Sequence, residues 1–246
     1  MTGPGTVCTY IRIIVGALLF AASVGPVWAQ SSEQIRNWCF EDATDDKTIQ
    51  GCTAVIKTNR ETPQDLANAY FNRGSAYAGK FQYERAIQDY DQAIKLVAGF
   101  SRAFQYRGLA YANKRQFARA TQDYDQVIKL KPDSFAAFES RCAARMALKQ
   151  LEAALADCNE ALRLQPGSAL QSRGLVNLKF ERFDLAIGDF NEALKADPKD
   201  AVALFGRGVA RRKRGDVAGG DADIAAARAA NGGVADRLAA IGITTK

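Results

Sequence analysis

The chain contains no histidine, and this absence narrows the chemistry that the protein can perform. None of its 246 residues supplies an imidazole, which is the usual general base and a common metal ligand. The sequence also has no nucleophile elbow, no phosphate-binding glycine loop and no close Cys-x2-Cys pair. Carboxylates such as Asp89 and Asp91 lie two residues apart, so on a helix they point in different directions. We therefore expect no enzymatic activity, no cofactor and no bound metal.

Charge is nearly absent from the N-terminal stretch. Residues 1–29 carry one charge, Arg12, followed by a twelve-residue apolar run over 13–24. Val27-Trp28-Ala29 then matches the small-x-Ala pattern that precedes signal-peptide cleavage. The apolar run is shorter than the roughly 20 residues that a membrane-spanning helix needs. These features predict a cleaved signal peptide over 1–29 and a periplasmic or secreted protein. An uncleaved membrane anchor is the alternative.

The rest of the chain lacks a strong charge of either sign. After residue 29 it has 32 Lys and Arg residues against 27 Asp and Glu residues, spread along the sequence. Nucleic-acid-binding proteins usually concentrate a larger basic excess on one face. We therefore expect no nucleic-acid partner. The oligomeric state is left open by the sequence.

A short pattern recurs along the chain at nearly constant spacing. Gly74, Gly108, Gly174 and Gly208 each follow an arginine, and Arg141-Cys142 fills the missing place, with steps of 34, 34, 32 and 34 residues. Within the copy at 101–134, apolar residues recur every three or four positions on both sides of a polar turn at 113–116. This is typical of two amphipathic helices joined by a turn. The repetition predicts an all-α solenoid of stacked helical pairs.

The copies resemble the tetratricopeptide repeat, whose pattern is aromatic-x2-Leu-Gly-x2-Tyr, then Ala-x3-aromatic, then Pro. In the clearest copy these positions are Phe104, Gly108, Tyr111, Ala120, Tyr124 and Pro132. The resemblance implies a right-handed superhelix whose first helices line the concave side. We expect five units, called units one to five, at 67–100, 101–134, 135–166, 167–200 and 201–230. Residues 231–246 would form a capping helix and tail.

Four cysteines follow residue 29, which suggests disulfides in an exported chain. Cys142 takes the glycine position of unit three and Cys158 takes the aromatic position, and in the repeat family these two positions face each other. The resemblance thus implies a Cys142–Cys158 bridge. Residues 30–66 look like a degenerate helical hairpin, bracketed by Cys39–Cys52, that caps unit one. Four buried free thiols are the alternative.

An arginine and an aspartate sixteen residues apart recur in every unit. The arginine precedes the glycine position, and the aspartate precedes the large apolar position of the second helix. We interpret the pairs as ion pairs that brace the helices, and a ladder of arginines for an anionic ligand is the alternative. The pairs are Arg73–Asp89, Arg107–Asp123, Arg141–Asp157, Arg173–Asp189 and Arg207–Asp223.

The resemblance also places a set of side chains on the concave face, where a protein or peptide would bind. Phe71, Leu109, Met146, Leu175 and Val209 would form an apolar stripe there, or some of them would pack against the next helix. The full set, which we call the predicted groove residues, is Phe71, Arg102, Gln105, Leu109, Glu139, Met146, Gln171, Leu175, Lys179, Phe205 and Val209.

These features predict a non-enzymatic scaffold or adaptor of the cell envelope that binds a protein or peptide in the concave groove. The alternative is an assembly factor that contacts anionic lipid or a cell-wall polymer. Its candidate site is the basic patch at the end of the first helix of unit five, formed by Arg211, Arg212, Lys213 and Arg214.

Overall fold

The computed structural model describes residues 32–41, 43–58 and 60–245, and the predicted signal peptide lies outside them. Within this part the chain is helical and contains no strand. The helices are α1 (Ser32–Phe40), α2 (Asp45–Thr58), α3 (Pro63–Gly79), α4 (Tyr83–Leu96), α5 (Ser101–Asn113), α6 (Phe117–Leu130), α7 (Phe135–Ala147), α8 (Leu151–Leu164), α9 (Leu170–Lys179), α10 (Phe183–Ala196), α11 (Ala201–Lys213), α12 (Val217–Ala230) and α13 (Val234–Ala239).

Consecutive helices from α3 to α12 form five hairpins, one in each predicted unit. We call the first helix of each hairpin the A helix and the second the B helix. Each A helix contacts the next A helix, whereas the described B helices make no such contact with one another. The A helices therefore form the inner layer of the stack. This is the right-handed α-solenoid that the sequence predicts, and its inner layer positions the candidate site.

A small residue lets the two helices of a hairpin approach closely. A Cβ atom on Gly74 would lie 2.9 Å from the ring of Tyr90, and one on Gly108 would lie 2.7 Å from the ring of Tyr124. Both rings are buried. Because the ring fills the space that a side chain would otherwise need, the repeated Arg-Gly pair marks the point where each hairpin closes.

Unit three closes its hairpin covalently. Cys142 and Cys158 replace the glycine and the ring, and the structure joins them in a disulfide with a Cα–Cα distance of 5.5 Å. A second disulfide joins Cys39 of α1 to Cys52 of α2. Helix α2 packs against α3 as a B helix packs against the following A helix, so the N-terminal hairpin covers the end of the stack.

A residue in the left-handed region ends the turn between the A and B helices of every unit. Phe81, Arg115, Lys149 and Glu181 have φ angles of 60°, 59°, 62° and 57°, and Gly215 has φ 99°. In unit two the Arg115 amide donates to the Ala112 carbonyl, and the Gln116 amide donates to Tyr111. This paired pattern satisfies the last carbonyls of the helix. Only unit five uses the residue type that adopts this conformation without strain.

The C-terminal end of the stack differs from the rest. Helix α9 has 10 residues where α5 has 13, which accommodates the two-residue deficit before Gly174. Helix α13 packs on α11 and α12, and the following residue Ile243 is only 4% exposed. None of the helices in the described residues combines the length and apolar character that a membrane span requires.

Candidate functional site

Each of the five arginines of the repeated pairs donates at least two hydrogen bonds to a buried aspartate. In unit two, Arg107 Nε and Nη2 lie 2.9 and 2.6 Å from the Asp123 carboxylate, whose side chain is 5% exposed. Units one, three, four and five contain the same pair. In unit one, the hydrogen bond from Arg73 to Asp89 outweighs the effect of burial and raises the pKa of the guanidinium. The pairs therefore join the A helix to the B helix of the same unit.

The third nitrogen of each arginine reaches back to the preceding unit. Arg107 Nη1 lies 2.5 Å from Asp91, and Arg141 Nη1 lies 2.5 Å from Asp125. The acceptors for the other three arginines, at 2.9–3.1 Å, are Thr53, Asn159 and Asn191. Since every one of these guanidiniums is engaged on both sides, the arrangement favours a structural brace over an arginine ladder that binds an anion.

Units three to five give the buried aspartate a further donor. Arg145 Nη1 lies 2.8 Å from Asp157, and Arg211 Nη1 lies 2.9 Å from Asp223. In unit four the Asn177 amide does the same for Asp189 at 2.9 Å. Units one and two have Tyr77 and Tyr111 at this position, and neither ring donates a described hydrogen bond to the aspartate. The ion pairs thus fall into two classes. In units three to five a second side chain also donates to the buried aspartate, and in units one and two no such donor is described.

The structure corrects the predicted apolar stripe of the groove. Four stripe residues are 5–6% exposed, namely Phe71, Met146, Leu175 and Val209, and the predicted groove residue Phe205 is 1% exposed. These side chains are packing residues rather than a free surface. The five stripe residues also do not share one place in the repeat, because Phe71 matches Gln105 and Leu109 matches Ser75 at a spacing of 34. Phe71 shows the reason for burial: its ring packs 5.4 Å from Phe100 and 5.2 Å from Tyr106 of the next unit.

Six predicted groove residues remain accessible to some degree. Arg102, Leu109 and Gln171 are exposed, and Gln105, Glu139 and Lys179 are half-buried. Gln105 Nε2 lies 3.1 Å from Ser140 Oγ, whereas its buried Oε1 has no hydrogen-bond partner. Burial raises the pKa of Glu139, which occupies the matching position of unit three. The middle of the inner face is therefore polar and incompletely satisfied.

A large open space lies at the N-terminal end of the inner face. A cavity of about 600 Å³ runs between the α1–α2 connection and the A helices α3 and α5. Sequence reasoning missed most of its lining. Only Phe71 was among the predicted groove residues, and the rest are Cys39, Phe40, Glu41, Ala43, Asp45, Thr48, Asn72, Ser75, Ala76 and Tyr106. The sequence signal for this cavity is the presence of two acidic residues, Glu41 and Asp45, close to the turn of the capping hairpin.

The predicted basic patch is largely neutralised by the protein itself. Arg211 binds Asp223, Arg212 binds Asp221 and Arg214 binds Asp184. Lys213 points toward the inner face, where it lines a smaller cavity with the C-terminal residues. Acidic side chains of α10 and α12 thus compensate three of the four positive charges of the patch.

A stack of helical hairpins with a shared inner face defines a helical-repeat scaffold, a class of protein that presents extended surfaces to other proteins. Family models for the tetratricopeptide repeat match residues 67–97, 107–169 and 172–234. Because these matches cover more than half of the sequence, the chain belongs to the tetratricopeptide repeat family, whose members bind protein or peptide partners. No group of acidic or sulfur ligands in the described residues could hold a metal ion.

Solved structures share this fold at low sequence identity. YrrB is 20% identical, with a TM-score of 0.58, and the match covers 79% of this chain and 97% of YrrB. MamA from Desulfovibrio magneticus RS-1 is 21% identical, with a TM-score of 0.60 and coverage of 68% and 95%. A repeat protein from Parabacteroides merdae reaches a TM-score of 0.69 at 16% identity, covering 85% and 87%. A search of curated proteins found no match.

Proposed function

We propose that this protein is a non-enzymatic interaction module of the cell envelope that binds an extended segment of another protein at the N-terminal end of its inner face. The observation that carries the proposal is the open cavity of about 600 Å³ beside α3 and α5. Family membership supports a protein or peptide partner. YrrB, which shares the fold, is described as having an unusual peptide-binding site.

The lining of this cavity favours a basic side chain in the bound segment. The lining includes the acidic residues Glu41 and Asp45 and the aromatic residue Tyr106. Tyr106 is 43% exposed, so its ring is available to a partner. A Lys or Arg side chain placed near carboxylates and an aromatic ring gains both charge attraction and a cation–π contact.

The cysteines support an envelope location. The four cysteines that follow residue 29 are 0–1% exposed and lie in the two disulfides described above. Disulfides of this kind persist in oxidising compartments and are rare in the cytosol. Mass spectrometry of an unreduced digest should show the peptides with Cys142 and Cys158 joined. Free thiols in protein recovered from its native cell would contradict the envelope location.

Selection from a random peptide library on the purified protein tests the binding site. We expect the selected peptides to carry a basic residue. Their affinity should fall at least about tenfold, or 1.4 kcal/mol, in Leu109→Lys and in Tyr106→Lys, because each change places on the proposed surface a positive charge that repels the basic residue of the peptide. Leu185→Lys is the matched control, since Leu185 is 59% exposed on α10 and does not line this cavity. Equal affinity in all three variants would overturn the proposal.

Two further measurements separate this proposal from the two other readings. Binding of anionic vesicles or cell-wall polymer that is lost only in Lys213→Glu would favour the basic patch, although its arginines are already paired. Turnover of any envelope substrate by the purified protein would contradict a non-enzymatic role.

A further inference from the structure

The C-terminal segment of the chain folds back onto the inner face. After α13 the backbone turns at Gly242, which has φ 80°, and the Ile243 amide donates to the Leu238 carbonyl at 2.9 Å. Ile243 then joins the buried cluster that contains Leu178 of α9 and Val209 of α11. Ile243 thus anchors the residues after α13, and partly buried Ile241 packs against the same cluster, whereas Gly242 and Thr244 are exposed.

Two cations from distant units hold the backbone of this segment. Lys179 Nζ donates to the Ile241 carbonyl, and Arg115 Nη2 donates to the Ala240 carbonyl at 3.4 Å. Arg115 belongs to unit two and lies 125 residues before its acceptor. Both carbonyls end a short helix, where a cation is electrostatically favourable. The segment therefore interacts with the inner face through two backbone carbonyls of the turn that follows α13 and through the apolar side chain of Ile243.

The segment does not fill the place that it occupies. A cavity of about 190 Å³ remains beside it, between Leu178, Lys179 and Val209 on one side and residues 242–244 on the other. Lys179 and Val209 are predicted groove residues. Since the segment after α13 buries only Ile243 fully, local opening of residues 240–245 should require less free energy than opening of a whole hairpin.

We propose that the C-terminal end of the inner face is a second binding subsite, for a short peptide with an aliphatic anchor, and that the C-terminal segment occupies it until such a peptide replaces it. This inference rests on the proposed function, because it assumes that the inner face binds peptides. It adds the chemical class of ligand for this end: an Ile, Leu or Val side chain in place of Ile243, with backbone carbonyls toward Lys179 and Arg115.

A synthetic labelled peptide with the sequence of residues 238–246 provides the probe. A tethered segment competes at an effective concentration on the order of mM, so the unmodified protein should bind the probe weakly. Ile243→Asp releases the tethered anchor. We expect this variant to bind the probe at least about tenfold more tightly than the unmodified chain in fluorescence anisotropy. Thr244→Asp is the matched control, because it introduces the same charge at the next, exposed position and should behave as the unmodified chain does.

Two results would overturn the inference. One is an Ile243→Asp variant that keeps its helical circular dichroism and binds the probe no better than the unmodified protein. If that variant does not fold, hydrogen exchange on the unmodified chain decides: excess probe should accelerate exchange of the Ile243 amide, and unchanged exchange would contradict displacement. The outcome is independent of the Leu109 and Tyr106 variants, which test the opposite end of the inner face.

Discussion

Units two and three follow the same backbone plan but close their helical hairpins by different chemistry. In unit two, Gly108 lies under the buried ring of Tyr124. In unit three, a disulfide between Cys142 and Cys158 spans the same place. Both units keep the arginine and aspartate that flank this contact. The comparison shows that the fold requires the space to be filled, whereas the bond that fills it can vary.

The buried ring and the disulfide stabilise the fold in different ways, because the ring acts on the folded chain and the disulfide acts mainly on the unfolded chain. A buried ring lowers the free energy of the folded chain by removing apolar surface from water. A disulfide acts mainly by restricting the unfolded chain. The units differ in a second way, since Asp157 of unit three has the extra donor Arg145 where unit two has Tyr111. Substitutions at matched positions can separate these contributions.

The largest difference is expected from the ion pairs. Arg107→Met leaves Asp123 buried without a cation, and we expect it to lower the free energy of unfolding by about 4 kcal/mol. Arg141→Met should cost roughly 1–2 kcal/mol less, because Arg145 still binds Asp157. Urea denaturation followed by circular dichroism measures both. Lys195→Met removes an exposed pair and should have little effect. Equal losses of unfolding free energy for Arg107→Met and Arg141→Met would show that Arg145 does not compensate the charge of Asp157 when Arg141 is removed.

Removal of the disulfide of unit three should have the next largest effect. The bridge closes a loop with a sequence separation of 16, for which restriction of the unfolded chain contributes about 3 kcal/mol. We therefore expect the variant with Cys142→Ala and Cys158→Ala to lose about this amount in urea denaturation. The variant with Cys142→Gly and Cys158→Tyr copies unit two and should recover part of the loss by burying a ring. If it is no more stable than the alanine variant, the buried ring and the disulfide are not interchangeable.

The close approach in unit two predicts a smaller effect. A Cβ atom at Gly108 would lie 2.7 Å from the Tyr124 ring, so Gly108→Ala should lower the free energy of unfolding by about 2 kcal/mol. Gly188→Ala is the control, because a Cβ atom there meets nothing within 4 Å. That exposed change should stabilise α10 by about 1 kcal/mol. The same urea denaturation measures both variants. An unchanged free energy of unfolding in Gly108→Ala would show that the Tyr124 ring can move aside without destabilising the fold.

Much of the fold could be predicted because its signals are local and repeated. The spacing of 34 residues and the sixteen-residue separation of Arg107 and Asp123 fall within one hairpin, so every unit provides an independent copy. The degenerate hairpin before unit one is harder to recognise. Its two cysteines, Cys39 and Cys52, are thirteen residues apart where the pair in unit three is sixteen apart. Only their match to the later pair identifies it as part of the stack.

The candidate site was predictable only in part, because exposure on the inner face depends on neighbouring units. Position in the repeat identifies Phe71 as a concave residue, yet a ring from the next unit covers it. The contact from Lys179 to Ile241 spans 62 residues and has no local signal. The acidic lining of the N-terminal cavity arises from a connection outside the repeats. The period predicts which helix faces inward, but it does not predict what covers that face.

The smallest expected effect concerns the left-handed residues in the turns between the A and B helices. Four of the five are not glycine, so the sequence alone does not indicate their conformation. Lys149→Gly in unit three should raise the free energy of unfolding by about 1 kcal/mol, since a side chain in this conformation is strained. Arg115→Gly in unit two relieves the same strain but loses the hydrogen bond to the Ala240 carbonyl, so its gain should be smaller. Gly215→Lys is the reverse control and should destabilise unit five. Equal gains for Lys149→Gly and Arg115→Gly in urea denaturation would mean that the Arg115 contact adds no stability. The C-terminal segment would then depend on Lys179 and Ile243 alone.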